Sequence, residues 1–272
     1  MKVTSDIEQV FEPLLRQFCK ATEPIEIDED FSSVFIPHTM PDYSKADKKI
    51  FYFGRDTYGW KSTSELMKSY SDNNLSNYIE ETSKWANDFG FLEYNKNKSS
   101  GFWTLALRLH LRLKGFTENL RIGDNLPKEY YNHINDFGWG NTNAIEVPKS
   151  LENQGIWETL DKDKYWTVKE HSKTFDKLIH TIKAYKPDIV FIFNWDCNEN
   201  LFLEELNYNE QKFDLISNHF LSYHLPDTNT KIYWTVHPTA ARWLGYGTDS
   251  IIDEIIEHLK TENELTKINP NR

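Results

Sequence analysis

The stretch KAYKPDIVFIFNW (183–195) decides the fold. Its first part closes a helical pattern, KEHSKTFDKLIHTIKAYK over 169–186. That pattern stops before Pro187, because a proline disfavours helical geometry in the residue ahead of it. DIVFIFNW (188–195) follows at once and is the most strand-like run in the chain, apolar and rich in β-branched and aromatic residues. A helix that feeds a buried strand is the repeating unit of an α/β sheet, so comparable units are expected on both sides.

On the N-terminal side, KKIFYFGRDTYGW (48–60) is a short apolar run ending in a glycine turn and reads as a buried strand followed by a loop. Helical patterns cover 62–92, with a polar interruption at SDNN (71–74), and 101–114, where Phe102, Leu105, Leu109 and Leu113 share one face. The polar stretch from Lys96 to Gly101 separates them as a loop. GWGNTNAIEV (138–147) fits a strand plus a turn. On the C-terminal side, KIYWTV (231–236) is a last strand that runs into HPTAARWLG, and DSIIDEIIEHLK (249–260) is an amphipathic helix capped near Asp249. At the start of the chain Ile7, Val10, Phe11, Leu14, Leu15 and Phe18 recur at helical spacing, and Pro24, Pro37 and Pro41 mark an irregular connection after them.

Strands separated by helices predict an α/β fold in a single domain, with a central four-stranded parallel sheet and helices on both faces. The domain proper is expected over 48–272, with an N-terminal helix and irregular extension over 1–47. In such sheets the ligand site lies beyond the carboxyl ends of the strands. Gly54 to Trp60, Asn141 to Glu146 and His237 to Arg242 fall at such ends, as do Asn194 and Asp196.

Composition narrows the function. The formal net charge of −11 argues against a general nucleic-acid binder, since phosphate contacts need cations. A small basic strip on an acidic surface would still serve, and Arg108, Arg112, Lys114 and Arg121, within a stretch poor in acids, are one candidate for such a nucleic-acid-facing strip. Two cysteines, Cys19 and Cys197, build neither a disulfide framework nor a four-thiolate cluster. His219 and His224 are poorly spaced for zinc and His110 has no second ligand at metal spacing, so no metal is expected. Nucleotide fingerprints of the GxGxxG and GxxxxGK[ST] kinds are missing, as is the GxSxG nucleophile elbow. The start lacks a signal-peptide pattern and no apolar run approaches the ~18 residues of a membrane span, so a cytoplasmic protein without membrane contact is expected. Aromatic residues make up 15% of the chain, most of them suited to a core and a few to stacking on bases.

Four residues at the strand ends carry chemistry. Asp56 is a carboxylate able to activate water or stabilise a developing cation, or else a turn-capping residue. His237 precedes Pro238, which holds its backbone extended, and a neutral imidazole there can donate to an oxygen gaining negative charge. Asn141 and Asn143 each offer a donor and an acceptor, which reading a pyrimidine edge requires, though each also suits a turn.

The segment Gly54-Arg55-Asp56-Thr57-Tyr58 resembles the Gly-Gln-Asp-Pro-Tyr motif of the uracil-DNA glycosylase superfamily, and His237-Pro238-Thr239 resembles its His-Pro-Ser motif. Thr142-Asn143-Ala144 looks like the short strand whose asparagine reads the base. The resemblance covers roughly residues 48 to 260 and implies a uracil-DNA glycosylase-like fold. It implies that Asp56 orients water and stabilises the sugar cation, and that Tyr58 packs near C5 of the base. Asn143, or alternatively Asn141, would bind the Watson–Crick edge; Gly54 and Arg55 would line the base pocket; and His237 would bond the base oxygen as the base leaves. Thr239, Arg242 and Trp243 would face DNA. Thr57 and Arg55 depart from the family's proline and glutamine, and Ala241 stands at the place of its wedge leucine. Trp60, Trp103 and Trp139 are candidates for the stacking aromatic. The resemblance implies a monofunctional DNA glycosylase that needs no cofactor and no obligate protein partner, acting on uracil or a modified pyrimidine. Two alternatives remain open at this point: excision of a C5-modified cytosine, such as glucosylated hydroxymethylcytosine of phage DNA, and a non-catalytic nucleic-acid-binding protein of the same fold.

Overall fold

The structure, a computed structural model, describes residues 5–25, 32–55, 63–88, 101–116, 130, 132–145, 161–194, 214–217, 220–225, 228–238, 241, 245 and 247–262. Its strands are β1 (His38–Thr39), β2 (Ile50–Gly54), β3 (Phe137–Asn141), β4 (Ile189–Phe193), β5 (Asp214–Ser217), β6 (Phe220–His224) and β7 (Lys231–Thr235). Its α-helices are α1 (Asp6–Thr22), α2 (Thr63–Ser71), α3 (Leu75–Asp88), α4 (Gly101–Leu113), α5 (Lys162–Ser172), α6 (Leu178–Tyr185) and α7 (Thr248–Thr261).

The strands form one sheet in the order β1-β3-β2-β4-β7-β6-β5. The four strands read from the sequence are its centre, and they run parallel. The sheet as a whole is wider and mixed. Antiparallel β1 pairs with β3 at one edge, and antiparallel β6 and β5 extend it beyond β7. The extra strands carry no continuous apolar run. A strand near the rim of a sheet can leave one face to solvent, and β6 interrupts its buried positions with half-buried Leu221 and exposed His224.

Strand side chains alternate between two faces. Phe51, Phe53, Val190, Ile192, Ile232 and Trp234 point to the layer that contains α1, α2, α3, α5 and α6. Ile50, Tyr52, Phe137, Ile189, Phe191, Phe193 and Tyr233 point to the layer of α4 and α7. Strand β3 fits closely because it has glycines on the first of these faces. A Cβ on Gly138 would fall inside the Phe51 ring, and one on Gly140 would lie 2.5 Å from Cε1 of Phe53.

Helix α1 starts at a capping box, in which Ser5 Oγ accepts from Glu8 N at 3.2 Å and Ser5 N donates to Glu8 Oε2 at 2.9 Å. Its Phe11, Leu15 and Phe18 belong to the same core as Phe51 and Val190. The segment after it is stitched to β3, with Phe35 N donating to Ala144 O at 2.7 Å and Met40 N to Phe137 O at 2.8 Å.

Two helix expectations are corrected. The pattern over 169–186 belongs to two helices, α5 and α6, because buried Asp176 between them accepts the backbone N–H of Ala144 at 2.6 Å and draws the chain inward. Helix α7 is preceded by Gly247 at its N-cap, and Asp249 sits inside the first turn, where it pairs with Arg108 instead of capping. The interruption at 71–74 does divide α2 from α3, and Asn73 takes a left-handed conformation there (φ 53°). Among the described residues no helix is long and apolar enough to cross a membrane.

Candidate active site

Parallel register brings several polar segments to one end of the sheet. Gly54 at the end of β2 pairs with Asn141 at the end of β3. The ladder then continues past the strands, with Thr142 N donating to Gly54 O at 2.9 Å and Asn143 N to Arg55 O at 3.1 Å. Asn194 follows β4, and His237 follows β7. Of the residues singled out from the sequence, Gly54, Arg55, Asn141, Asn143 and His237 therefore share the carboxyl end of the parallel centre. Asp56, Tyr58, Trp60, Thr239, Arg242 and Trp243 lie outside the described residues.

Asn141 is the most telling of them. It is only 7% exposed, and its Nδ2 is buried with no hydrogen-bond partner among the described residues. Buried amides are nearly always bonded, so this nitrogen has an open place for one more acceptor, which a bound water or a ligand can supply. Asn143 is in a different state. It is half-buried, and its Oδ1 accepts from Lys169 Nζ at 3.4 Å. Lys169 also donates to Ile145 O at 2.8 Å and lies 3.6 Å from Asp176 Oδ2. Lys169 and Asp176 together brace the strand extension from the side of α5 and α6.

A second chain of bonds crosses the sheet at the same end. Trp234 Nε1 donates to Asn194 Oδ1 at 2.8 Å, and Asn194 Nδ2 donates to Thr142 Oγ1 at 2.9 Å. In the order β3-β2-β4-β7 this chain runs from β7 to β3 and spans the end of β2.

An aromatic that hydrophobic patterning alone does not single out stands at the mouth. Phe102, in the first turn of α4, lies against Gly54, where a Cβ would come within 2.9 Å of its ring. Its centroid is 6.0 Å from Phe193 and 4.6 Å from Trp103. Gly101 beside it packs on Pro238, where a Cβ on the glycine would sit 3.0 Å from the proline Cβ, so α4 begins against both the β2 end and the His237-Pro238 turn. The signal in the sequence is a small residue followed by an aromatic at a helix start, which hydrophobic periodicity absorbs into the core face. Trp103 and Trp139 pack on each other at 4.8 Å, and Trp139 leans on Phe35 and His38 toward the β1 edge. Trp103 of α4 and Trp139 of β3 thus pack helix against strand. Ala241 is buried in the core.

The described part of the basic strip is paired with acids. Arg108 pairs with Asp249, and Arg112 with Asp253 at 2.9 Å, so two arginines of α4 are matched by two carboxylates of α7. Lys114 pairs with Asp136. Arg121 lies outside the described residues. The strip looked unopposed because its acids stand far along the chain. Burial pushes the Cys19 thiol up to about 12, which removes it as a nucleophile near neutrality. Among the described residues no three carboxylate, imidazole or thiol groups gather closely enough to hold a metal ion. No protein-family model matches the chain, and neither does any curated protein.

Proposed function

We propose that the chain is a DNA glycosylase that takes an extruded uracil or modified pyrimidine into the crevice beyond β2, β3, β4 and β7. The observation that carries this reading is the buried carboxamide nitrogen of Asn141 beside the end of β2, which has no hydrogen-bond partner among the described residues. A carboxamide supplies both donor and acceptor, which matches the edge of a pyrimidine. Between the two asparagines this favours Asn141 as the base reader, since Asn143 already gives its oxygen to Lys169. Phe102 supplies a ring against which a base can stack.

The reaction is hydrolysis of the N-glycosidic bond. As the C1′–N bond breaks, its electron pair leaves with the base and C1′ becomes cationic. Asp56 follows Gly54 and Arg55 directly in sequence, so its carboxylate would stabilise the sugar cation and take a proton from the attacking water. His237 would donate to the base oxygen as negative charge gathers there. A fixed carboxylate and a fixed donor thus act on opposite ends of one bond. Water oxygen ends on C1′, leaving an abasic site; Asp56 gives up the water's proton to solvent, and the departing base anion takes one from solvent. The C5 substituent separates uracil from a bulky modified cytosine, and Tyr58 is the residue set to sense it.

The test is base release from oligonucleotides carrying uracil or C5-modified cytosines, read as strand breaks after alkali. Cleavage by the wild type, falling by about 10²- to 10⁴-fold in Asp56→Ala and His237→Ala, supports the reading. Full turnover in both variants refutes the assigned roles. No turnover on any base, with DNA affinity retained, favours a binding protein.

A further inference from the structure

We infer that Thr142 is a directed hydrogen-bond donor to the ligand, its direction imposed by Trp234 through Asn194. The inference rests on the glycosylase reading for the identity of that ligand, and its own basis is the sense of the hydrogen bonds that link the three residues. An indole N–H can only donate. The Asn194 atom 2.8 Å from Trp234 Nε1 must therefore be the oxygen. The amide nitrogen is then the atom 2.9 Å from Thr142 Oγ1, and a carboxamide nitrogen can only donate. Thr142 is left as the acceptor of that bond, with its own hydroxyl hydrogen unused. No acceptor for this hydrogen stands among the described residues, although Thr142 is buried, as are Asn194 and Trp234.

A buried polar chain elsewhere in the fold is built differently. Tyr52 Oη lies 3.0 Å from His110 Nδ1, His110 Nε2 lies 2.8 Å from Asp136 Oδ1, and Lys114 bonds the other Asp136 oxygen. Tyrosine gives to imidazole, imidazole gives to carboxylate, and the lysine closes the end. That chain is complete and holds α4 to the sheet. The Trp234–Asn194–Thr142 chain ends in an open donor instead, next to Asn141, whose carboxamide is also open. Consecutive strand residues face opposite sides of the sheet, so Asn141 and Thr142 approach the strand end, where ligands bind in such sheets, from different sides, and the open Thr142 hydroxyl there calls for an acceptor. On a pyrimidine that acceptor is a ring carbonyl oxygen or an unprotonated ring nitrogen.

The decisive variant is Asn194→Asp. A carboxylate accepts from both Trp234 and Thr142, so the chain stays bonded but the Thr142 hydrogen turns inward. Base release is measured on the uracil and modified-cytosine oligonucleotides, with thermal unfolding and the Trp234 indole N–H resonance (assigned by its loss in Trp234→Phe) as controls. We expect Asn194→Asp and Thr142→Val to lose roughly 10- to 100-fold in kcat/KM, and Thr142→Ser to stay within about threefold of wild type. In Asn194→Asp the indole resonance should keep its hydrogen-bonded position. Wild-type turnover in Asn194→Asp or Thr142→Val overturns the inference and leaves the glycosylase reading standing. Should Asn194→Asp fail to fold, the Val and Ser pair at Thr142 decides the matter alone. A wild-type chain that releases no base overturns the glycosylase reading and this inference with it.

Discussion

An orphaned buried carboxamide costs a fold about 1–3 kcal/mol, and Asn141 carries that cost at the end of β3. Replacing it with an apolar leucine removes the cost. We therefore expect Asn141→Leu to raise stability by about 1 kcal/mol in urea unfolding while abolishing base release. A destabilised Asn141→Leu would show that the carboxamide serves the fold instead of a ligand. The glycines of β3 behave in the opposite way. Gly138→Ala forces a methyl into the Phe51 ring and should cost about 3 kcal/mol or more, measured by the same urea midpoint. At this scale the sequence was legible for position, placing His237 and the asparagines at the carboxyl ends of strands, where the structure has them. It was not legible for Phe102, because an aromatic on a helix reads as core until the glycine facing it is known. The preference between Asn141 and Asn143 was equally hidden, since it depends on where Lys169 reaches from α5.

Elements were read best where a single property settled them. The four central strands are short runs buried on both sides, and their order in the chain implied parallel pairing. Strands β1, β5 and β6 escaped because edge pairing needs little apolar content and depends on which neighbour presents an open edge. The break between α5 and α6 escaped because it depends on Asp176 meeting the Ala144 amide, a contact across 32 residues of chain. The arginines of α4 teach the same lesson. Their partners lie on α7, each 141 residues away. These ion pairs are partly exposed, so Arg112→Ala should lower stability by only about 0.5–1 kcal/mol. It should leave the salt dependence of DNA binding unchanged, measured by fluorescence anisotropy across a salt series. A shallower salt slope in Arg112→Ala would return the strip to the DNA interface.

Across the whole molecule, buried titratable groups tie stability to pH. Burial holds the His38 imidazole down at about 3, and burial also lowers His110 below its ordinary 6.5 despite the neighbouring Asp136. Both are neutral in the fold and charged in the unfolded chain below about 6.5, so the unfolded chain binds more protons and stability falls as pH drops from there toward 3. Burial pushes the Asp136 carboxyl up, but the hydrogen bonds from His110 and Lys114 and the lysine's charge outweigh it and bring it to about 2. Its contribution, on the order of 1–2 kcal/mol after solvent screening, is present above about pH 4 and disappears as pH falls toward 2. Urea midpoints should therefore decline from about pH 6.5 downward, and His38→Gln should flatten the upper part of that decline. A midpoint constant between about pH 7 and pH 4 would contradict the neutral, buried state of these imidazoles.

The order of the strands also sets a timetable for assembly. Strands β5, β6 and β7 join neighbours along the chain, whereas β2 meets β4 across a gap of 139 residues, where Lys49 N bonds Asp188. Distant pairings must first overcome the entropy of closing large loops. During refolding, pulse-labelled hydrogen exchange should protect the amides of β6 and β7 before those of β2 and β3. Nascent chains would then acquire their crevice last, and ligand capture would report that refolding is complete.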